Sequence, residues 1–221
     1  MKLGRWGWGA FGVGAAVFAC TSEETTTSTP AGVDAGTTAE EDAGTTPTPT
    51  ADAATAKKRV FVTSDYFPGH TIGGLAKMDE ACNTVAKRAK LAGTWRAWAS
   101  DSKTSAVSRL ADVGPWYTIT GTLVAANRAA LASGSLKAAI SVNESGKALE
   151  GAGNVWTGTT KDGTAAPGTC NDWATGDGSL PDGGQLEGTV GLAFASDAKW
   201  TDKPDFALCN GSSLSLYCFE Q

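Results

Sequence analysis

From Lys57 onward the apolar positions change period several times, and each change marks an element. Arg59-Val60-Phe61-Val62-Thr63-Ser64 is β-branched and aromatic and stops at Asp65 and Pro68-Gly69, which predicts a first strand. Leu75, Met78, Cys82, Val85 and Ala89 fall at i, i+3, i+7, i+10 and i+14, with charged residues off that stripe and Gly93 as a stop. This predicts an amphipathic helix with Cys82 facing the core. Thr94 to Ser100 reads as a second strand and Thr104 to Ala111 as a short helix. Beyond Gly114 the pieces shorten: a hairpin from Trp116–Ile119 and Leu123–Ala125, a helical turn over Asn127–Ala132, and a strand at Val155-Trp156-Thr157.

Between Thr159 and Gly188 the pattern lapses into Gly, Asp and Thr, with Asp162-Gly163, Asp177-Gly178 and Asp182-Gly183 as turn signals. A loop of that length inside a compact domain is functional or pinned. Phe206–Cys209, the Asn210-Gly211 turn and Leu214–Phe219 read as a closing hairpin.

The chain before Lys57 carries no such pattern. Met1–Arg5 holds two cations, Trp6–Ala19 is uncharged and apolar, and Val17-Phe18-Ala19-Cys20 closes the stretch. Residues 1–19 therefore read as a signal peptide. Fourteen helical residues rise roughly 21 Å, short of the ~30 Å a spanning helix must cross. A small residue directly before Cys20 resembles a bacterial lipobox, which makes Cys20 the expected lipidation site and the bacterial outer membrane the expected location. Residues 20–56 are Thr, Ala, Pro and acid with almost nothing to bury, so they read as a lipid-anchored linker. At 36 residues from Thr21 to Ala56 its flexible reach is roughly 30–36 Å.

Charge sharpens this division. The formal net charge is −5, yet Thr21–Ala56 holds seven acids and no Lys or Arg, and the two signs balance from Lys57 onward. The negative excess belongs to the linker, and nothing favours nucleic acid as a partner.

Five cysteines include Cys20, leaving Cys82, Cys170, Cys209 and Cys218. An exported chain with four such cysteines predicts two disulfides, for which three connectivities exist. No CxxC pair occurs and His70 is the single histidine, which argues against zinc. Asn171, Asp172, Asp177 and Asp182 offer hard oxygens on the long loop, a set that calcium would accept if they converged. The alternative is that they only make turns. Trp173, surrounded by loop residues, is the expected exposed aromatic for stacking on a ligand. No catalytic residues are assigned: His70 has no acid or nucleophile near it in sequence, and Ser has no G-x-S-x-G context.

Taken in order, these segments resemble the C-type-lectin-like superfamily, above all its endostatin-like branch and related bacterial exported modules. The resemblance runs through Arg59–Ser64, Gly73-Gly74-Leu75-Ala76, Trp95–Ser100, Val155-Trp156-Thr157-Gly158, Cys170-Asn171-Asp172-Trp173, Lys199-Trp200-Thr201-Asp202 and Leu216–Gln221. It implies an α+β domain over residues 57–221, with short helices beside twisted antiparallel sheets and a long loop region that binds ligands in some members. It also implies first-to-last and second-to-third disulfides, Cys82–Cys218 and Cys170–Cys209. The Glu-Pro-Asn and Trp-Asn-Asp tripeptides through which sugar-binding members hold calcium do not occur. The expectation is a monomeric, non-catalytic module on an envelope lipoprotein, anchored to the membrane through its lipid. It would bind an extracellular protein or glycan through Asn171, Asp172, Trp173, Asp177 and Asp182, with no cofactor beyond a possible calcium. The alternatives are a structural envelope or coat component and an extracellular hydrolase.

Overall fold

The computed structural model describes residues 57–221; the expected signal peptide, the lipidation of Cys20 and the linker over 20–56 lie outside the described residues. Strand β1 (Lys58–Val62) is followed by the short β2 (Phe67–Pro68), helix α1 (Leu75–Arg88) and β3 (Trp95–Ala97). Next come α2 (Ala106–Arg109), the hairpin β4 (Trp116–Thr118) and β5 (Leu123–Ala125), and α3 (Arg128–Leu131), whose first turn is capped by the Asn127 side chain. The chain then gives β6 (Asn154–Trp156), β7 (Glu187–Leu192), β8 (Phe206–Leu208), β9 (Ser213–Leu214) and β10 (Tyr217–Glu220). The domain is α+β, with few short helices and mixed sheets.

Five strands form the main sheet in the order β3-β10-β1-β4-β5. The first and last strands pair antiparallel, Phe61 opposite Cys218, so both ends of the domain lie side by side at its centre. The expectation of purely antiparallel sheets needs correction: β1 and β4 run parallel, Lys58 opposite Trp116. The long excursion through α1, β3 and α2 makes that possible, because a parallel partner needs a crossover rather than a tight turn.

Alternation along β1 and β10 divides the core in two. Val60, Val62, Tyr217 and Phe219 join Trp98, Trp116 and Trp200 on one face, whereas Phe61 and Cys218 join Met78, Cys82, Val85, Trp95, Trp156 and Trp173 on the other. Both faces are covered, which is why Val60, Phe61 and Val62 are all buried in one short strand. Tyr217 is fully enclosed, its hydroxyl donating to the Trp200 carbonyl at 3.0 Å, and burial pushes its phenol well above the ordinary range.

Helix α1 lies on the second face as its periodicity predicts, burying Met78, Cys82 and Val85. The Cys82–Cys218 disulfide staples it to β10. A further clamp comes from Arg109 of α2, whose guanidinium donates to the Ala97 and Ala99 carbonyls and to Asp79 of α1 at 2.6–2.9 Å. Its side chain is only 8% exposed, so one cation ties helix, strand and loop together in a dry setting.

Two departures from the sequence reading concern the second sheet, ordered β6-β7-β8. Strand β7 lies at the end of the stretch expected to be loop. Its Gly188 and Gly191 erase the β signal, and both are required by close approach. A Cβ on Gly188 would sit 2.6 Å from the Trp156 ring, and one on Gly191 would sit 2.1 Å from the Trp200 carbonyl oxygen. The expected closing hairpin is also not formed: β8 pairs with β7, β9 with β2, and β10 with β1 and β3. The turn at Asn210-Gly211 exists, with Gly211 N–H donating to the Leu208 carbonyl, but the strands beyond it go to different sheets.

Candidate functional site

The long loop returns to the body at Cys170, and there the backbone does something unusual for four ordinary residues. Cys170, Asn171, Asp172 and Trp173 have φ of 49°, 55°, 56° and 60°, a single left-handed helical turn closed by Trp173 N–H donating to the Thr169 carbonyl at 2.9 Å. Left-handed helix costs roughly 1–2 kcal/mol for each non-glycine residue, so this turn opposes folding by about 4–8 kcal/mol and survives only because its surroundings hold it.

Four anchors hold it. Cys170 is bonded to Cys209 just after β8. The Trp173 indole is buried against Trp156, ring centroids 5.6 Å apart, and its Nε1 donates to the Ser100 carbonyl at 2.8 Å. Asp172 accepts from the backbone N–H and the hydroxyl of Ser102, both at 2.7 Å, and those bonds hold its carboxyl below the usual carboxylate range. The Trp173 carbonyl accepts from the N–H groups of Gly73 and Gly74, whose positive φ lets both point at one oxygen directly before α1. The turn thus connects the start of α1, the loop at residues 100–104, and β8.

The five residues expected to bind ligand therefore separate. Trp173 is 0% exposed, which corrects the expectation of an exposed stacking residue: being on a loop does not expose a side chain when the loop itself is folded into the core. Asp172 shares the turn but is committed to Ser102. Asn171 is exposed. Asp177 and Asp182 each turn a carboxylate oxygen back to close their own turn, on Ser179 N–H and Gly184 N–H respectively, both at 3.0 Å. Among the described residues no three His, Cys, Asp or Glu side chains come together as a metal would need.

His70 lies against the same disulfide, its Nδ1 donating to the Cys209 carbonyl at 2.9 Å and its own carbonyl accepting from Gly176. Gly69 beside it would place a Cβ 2.8 Å from Cys170 Sγ. The segment around His70 thus packs directly on the pinned loop.

Outward of the turn the chain forms a small two-stranded tongue, Ser179 bridging Gln185, with Leu180 at its tip 41% exposed. Its base is tied to β8 through Cys209 N–H donating to the Leu186 carbonyl. β8 is an edge strand of its sheet, and Phe206 and Leu208, two residues apart and so on one side, are 55% and 40% exposed. Sequence reasoning missed this apolar surface because β8 was expected to lie inside a hairpin. The signal for it was the alternation of Phe206, Ala207 and Leu208 beside a cysteine.

A recess of about 460 Å³ lies between Thr94, Arg96, Ser108, Arg109 and Gln221. Arg109 is consumed by the clamp described above, and Arg96 donates to the Arg109 carbonyl, so the recess reflects the packing of α2. No helix among the described residues is long and apolar enough to cross a membrane. Compared with known proteins, the chain is matched by no family model and by no curated protein.

Proposed function

We propose that the chain is a bacterial envelope lipoprotein whose C-type-lectin-like module captures an extracellular protein or glycan without chemical turnover. The observation that carries this reading is the tongue and edge strand. Leu180, Phe206 and Leu208 stand exposed on a frame fixed by Cys170–Cys209, together with the polar Asn171, Asp177 and Asp182 of the same loop. Exposed apolar side chains that are held rigidly lose little entropy on engaging a partner. Two disulfides suit an oxidising compartment outside the cytoplasm, and the tether and lipid at Cys20 would hold the module off a membrane.

The test is an array of glycans and extracellular proteins probed with the oxidised chain and with a Phe206→Ser/Leu208→Ser double variant. The expected result is a ligand retained by the parent and weakened at least tenfold by the variant. An array silent throughout would contradict the reading and favour a structural envelope component. Intact mass tests the anchor: a mature chain beginning at Cys20 without added acyl mass would remove the lipoprotein part.

A further inference from the structure

We propose that β8 is a strand-addition site, at which an extended, cationic peptide segment pairs with the free edge of the β6-β7-β8 sheet. This rests on the binding-module reading and deepens it, because it commits the exposed surface to main-chain pairing rather than to a glycan or a folded face.

The open edge follows from the hydrogen-bond phase of the sheet. Cys170 N–H donates to the Glu187 carbonyl and Thr189 N–H to the Gly168 carbonyl, so residues 187 and 189 bond away from β8. Their partners across the pair, Leu208 and Phe206, therefore direct their own N–H and C=O groups outward, while Ala207 faces β7. Cys209 N–H, donating to the Leu186 carbonyl, keeps the same phase. Among the described residues β8 has a strand neighbour on one side only, and the Phe206 N–H, the Phe206 carbonyl and the Leu208 N–H have no partner. The Leu208 carbonyl accepts from Gly211 N–H at 3.3 Å. Three open main-chain groups on a rigid edge are what an extended segment pairs with.

Side chains set the partner's chemistry. Phe206 and Leu208 stand exposed on one side, and Ala207 turns to the second core cluster. Glu187, exposed on β7, lies directly opposite Leu208 and so projects on its side. A strand added to β8 would run roughly 9.5 Å from β7, two strand spacings. A Lys or Arg on it can lay its methylenes over Leu208 and carry its charge to Glu187, while an apolar residue two positions along covers Phe206. Asp177 adds a second carboxylate beside the end of β8, since its neighbour Gly178 would place a Cβ 2.6 Å from Asn210 Cβ. Among the described residues neither Glu187 nor Asp177 enters an ion pair, whereas Lys203 is already paired with Asp205 at 2.7 Å. A second copy of the chain would bring the same acids to the edge, so charge favours a cationic peptide over self-pairing.

The test is fluorescence polarisation of the disulfide-intact full chain with a labelled, capped probe peptide, Thr-Lys-Thr-Val-Thr-Lys-Thr, whose Lys and Val share one side in either direction. Further probes replace both Lys by Glu, or methylate alternate backbone nitrogens in one phase or the other. The parent probe should bind, and the Glu probe should bind at least tenfold more weakly. One methylation phase should weaken binding tenfold or more and the other far less, a contrast that side-chain contact alone would not give. Leu208→Pro should abolish binding, because it removes an outward N–H that β7 does not use, and Glu187→Gln should weaken it several-fold. The methylated probes act on the parent chain and need no variant to fold. Equal binding of both methylated probes and the parent, or of the Glu and Lys probes, overturns strand addition. No probe bound, with an array ligand that is lost in Phe206→Ser/Leu208→Ser, also overturns it while leaving the binding-module reading intact; silence in both experiments removes both.

Discussion

Replacing Cys170 and Cys209 together by alanine separates the covalent anchor of the left-handed turn from its noncovalent ones. The two cysteines are 39 residues apart, and closing a loop of that length in the unfolded chain is worth roughly 4 kcal/mol in the chain-entropy model. For a domain of this size that corresponds to a fall in Tm of about 8–16 °C. The Cys82–Cys218 bridge, with a separation of 136, gives roughly 5 kcal/mol by the same relation, so magnitude alone hardly distinguishes the two pairs. Location does. The turn opposes folding by an amount similar to what the Cys170–Cys209 bridge contributes, so without it the segment from Asn171 to Leu186 should open before the main sheet does. Guanidinium unfolding followed by far-UV circular dichroism would give the global loss, and limited proteolysis would give the local one. New cleavage between 171 and 186 under native conditions is the expected signature, absent when Cys82 and Cys218 are replaced instead. A loss below about 1 kcal/mol with no new cleavage would refute the reasoning that the bridge holds the turn.

Three further outcomes follow from particular contacts. Asp172 is held below the ordinary carboxylate range, first by the Ser102 N–H and then by the Ser102 hydroxyl. A depressed folded-state value means stability that is present above about pH 4 and lost as pH falls through it, so melts between pH 7 and 2 should decline less steeply for Asp172→Asn than for the parent. Gly188→Ala would drive a Cβ to 2.6 Å from the Trp156 ring and 2.8 Å from Cys170 Sγ, costing about 1–3 kcal/mol by denaturant titration. Arg109→Met strands Asp79 and the Ala97 and Ala99 carbonyls, and should cost about 3–5 kcal/mol in the same assay, with Asp79→Leu added to it recovering part of the loss.

Local elements were legible in the sequence where one face is buried and the period is clean. β1, α1 and the β4–β5 hairpin stand close to where Val60–Val62, the Met78–Cys82–Val85 stripe and the Trp116–Ala125 alternation put them. The disulfide pairing came from the family resemblance, and the structure has both bridges. What failed was long-range. Asn210-Gly211 marks a turn, yet the partners of β8 and β10 are chosen by the core, which sends Ala207 and Cys209 towards Trp156 and sends Tyr217 and Phe219 towards Trp200. β7 was hidden because the glycines that let Trp156 and Trp200 pack against it also remove its β propensity. Trp173 was misplaced for a related reason: its exposure depends on a left-handed turn, and no residue of Cys170-Asn171-Asp172-Trp173 favours that conformation strongly enough to announce it.

Amide hydrogen exchange on the oxidised chain tests the central claim most directly, namely that the long loop is a fixed part of the body and presents its outer surface preformed. The N–H groups of Trp173, Gly73, Gly74 and Thr189 are bonded to Thr169, to Trp173 and to Gly168 across the loop base, and they should exchange on the slow timescale of β1 and β10. Exchange at those four positions as fast as in an unstructured peptide, with β1 and β10 still protected, would contradict the account.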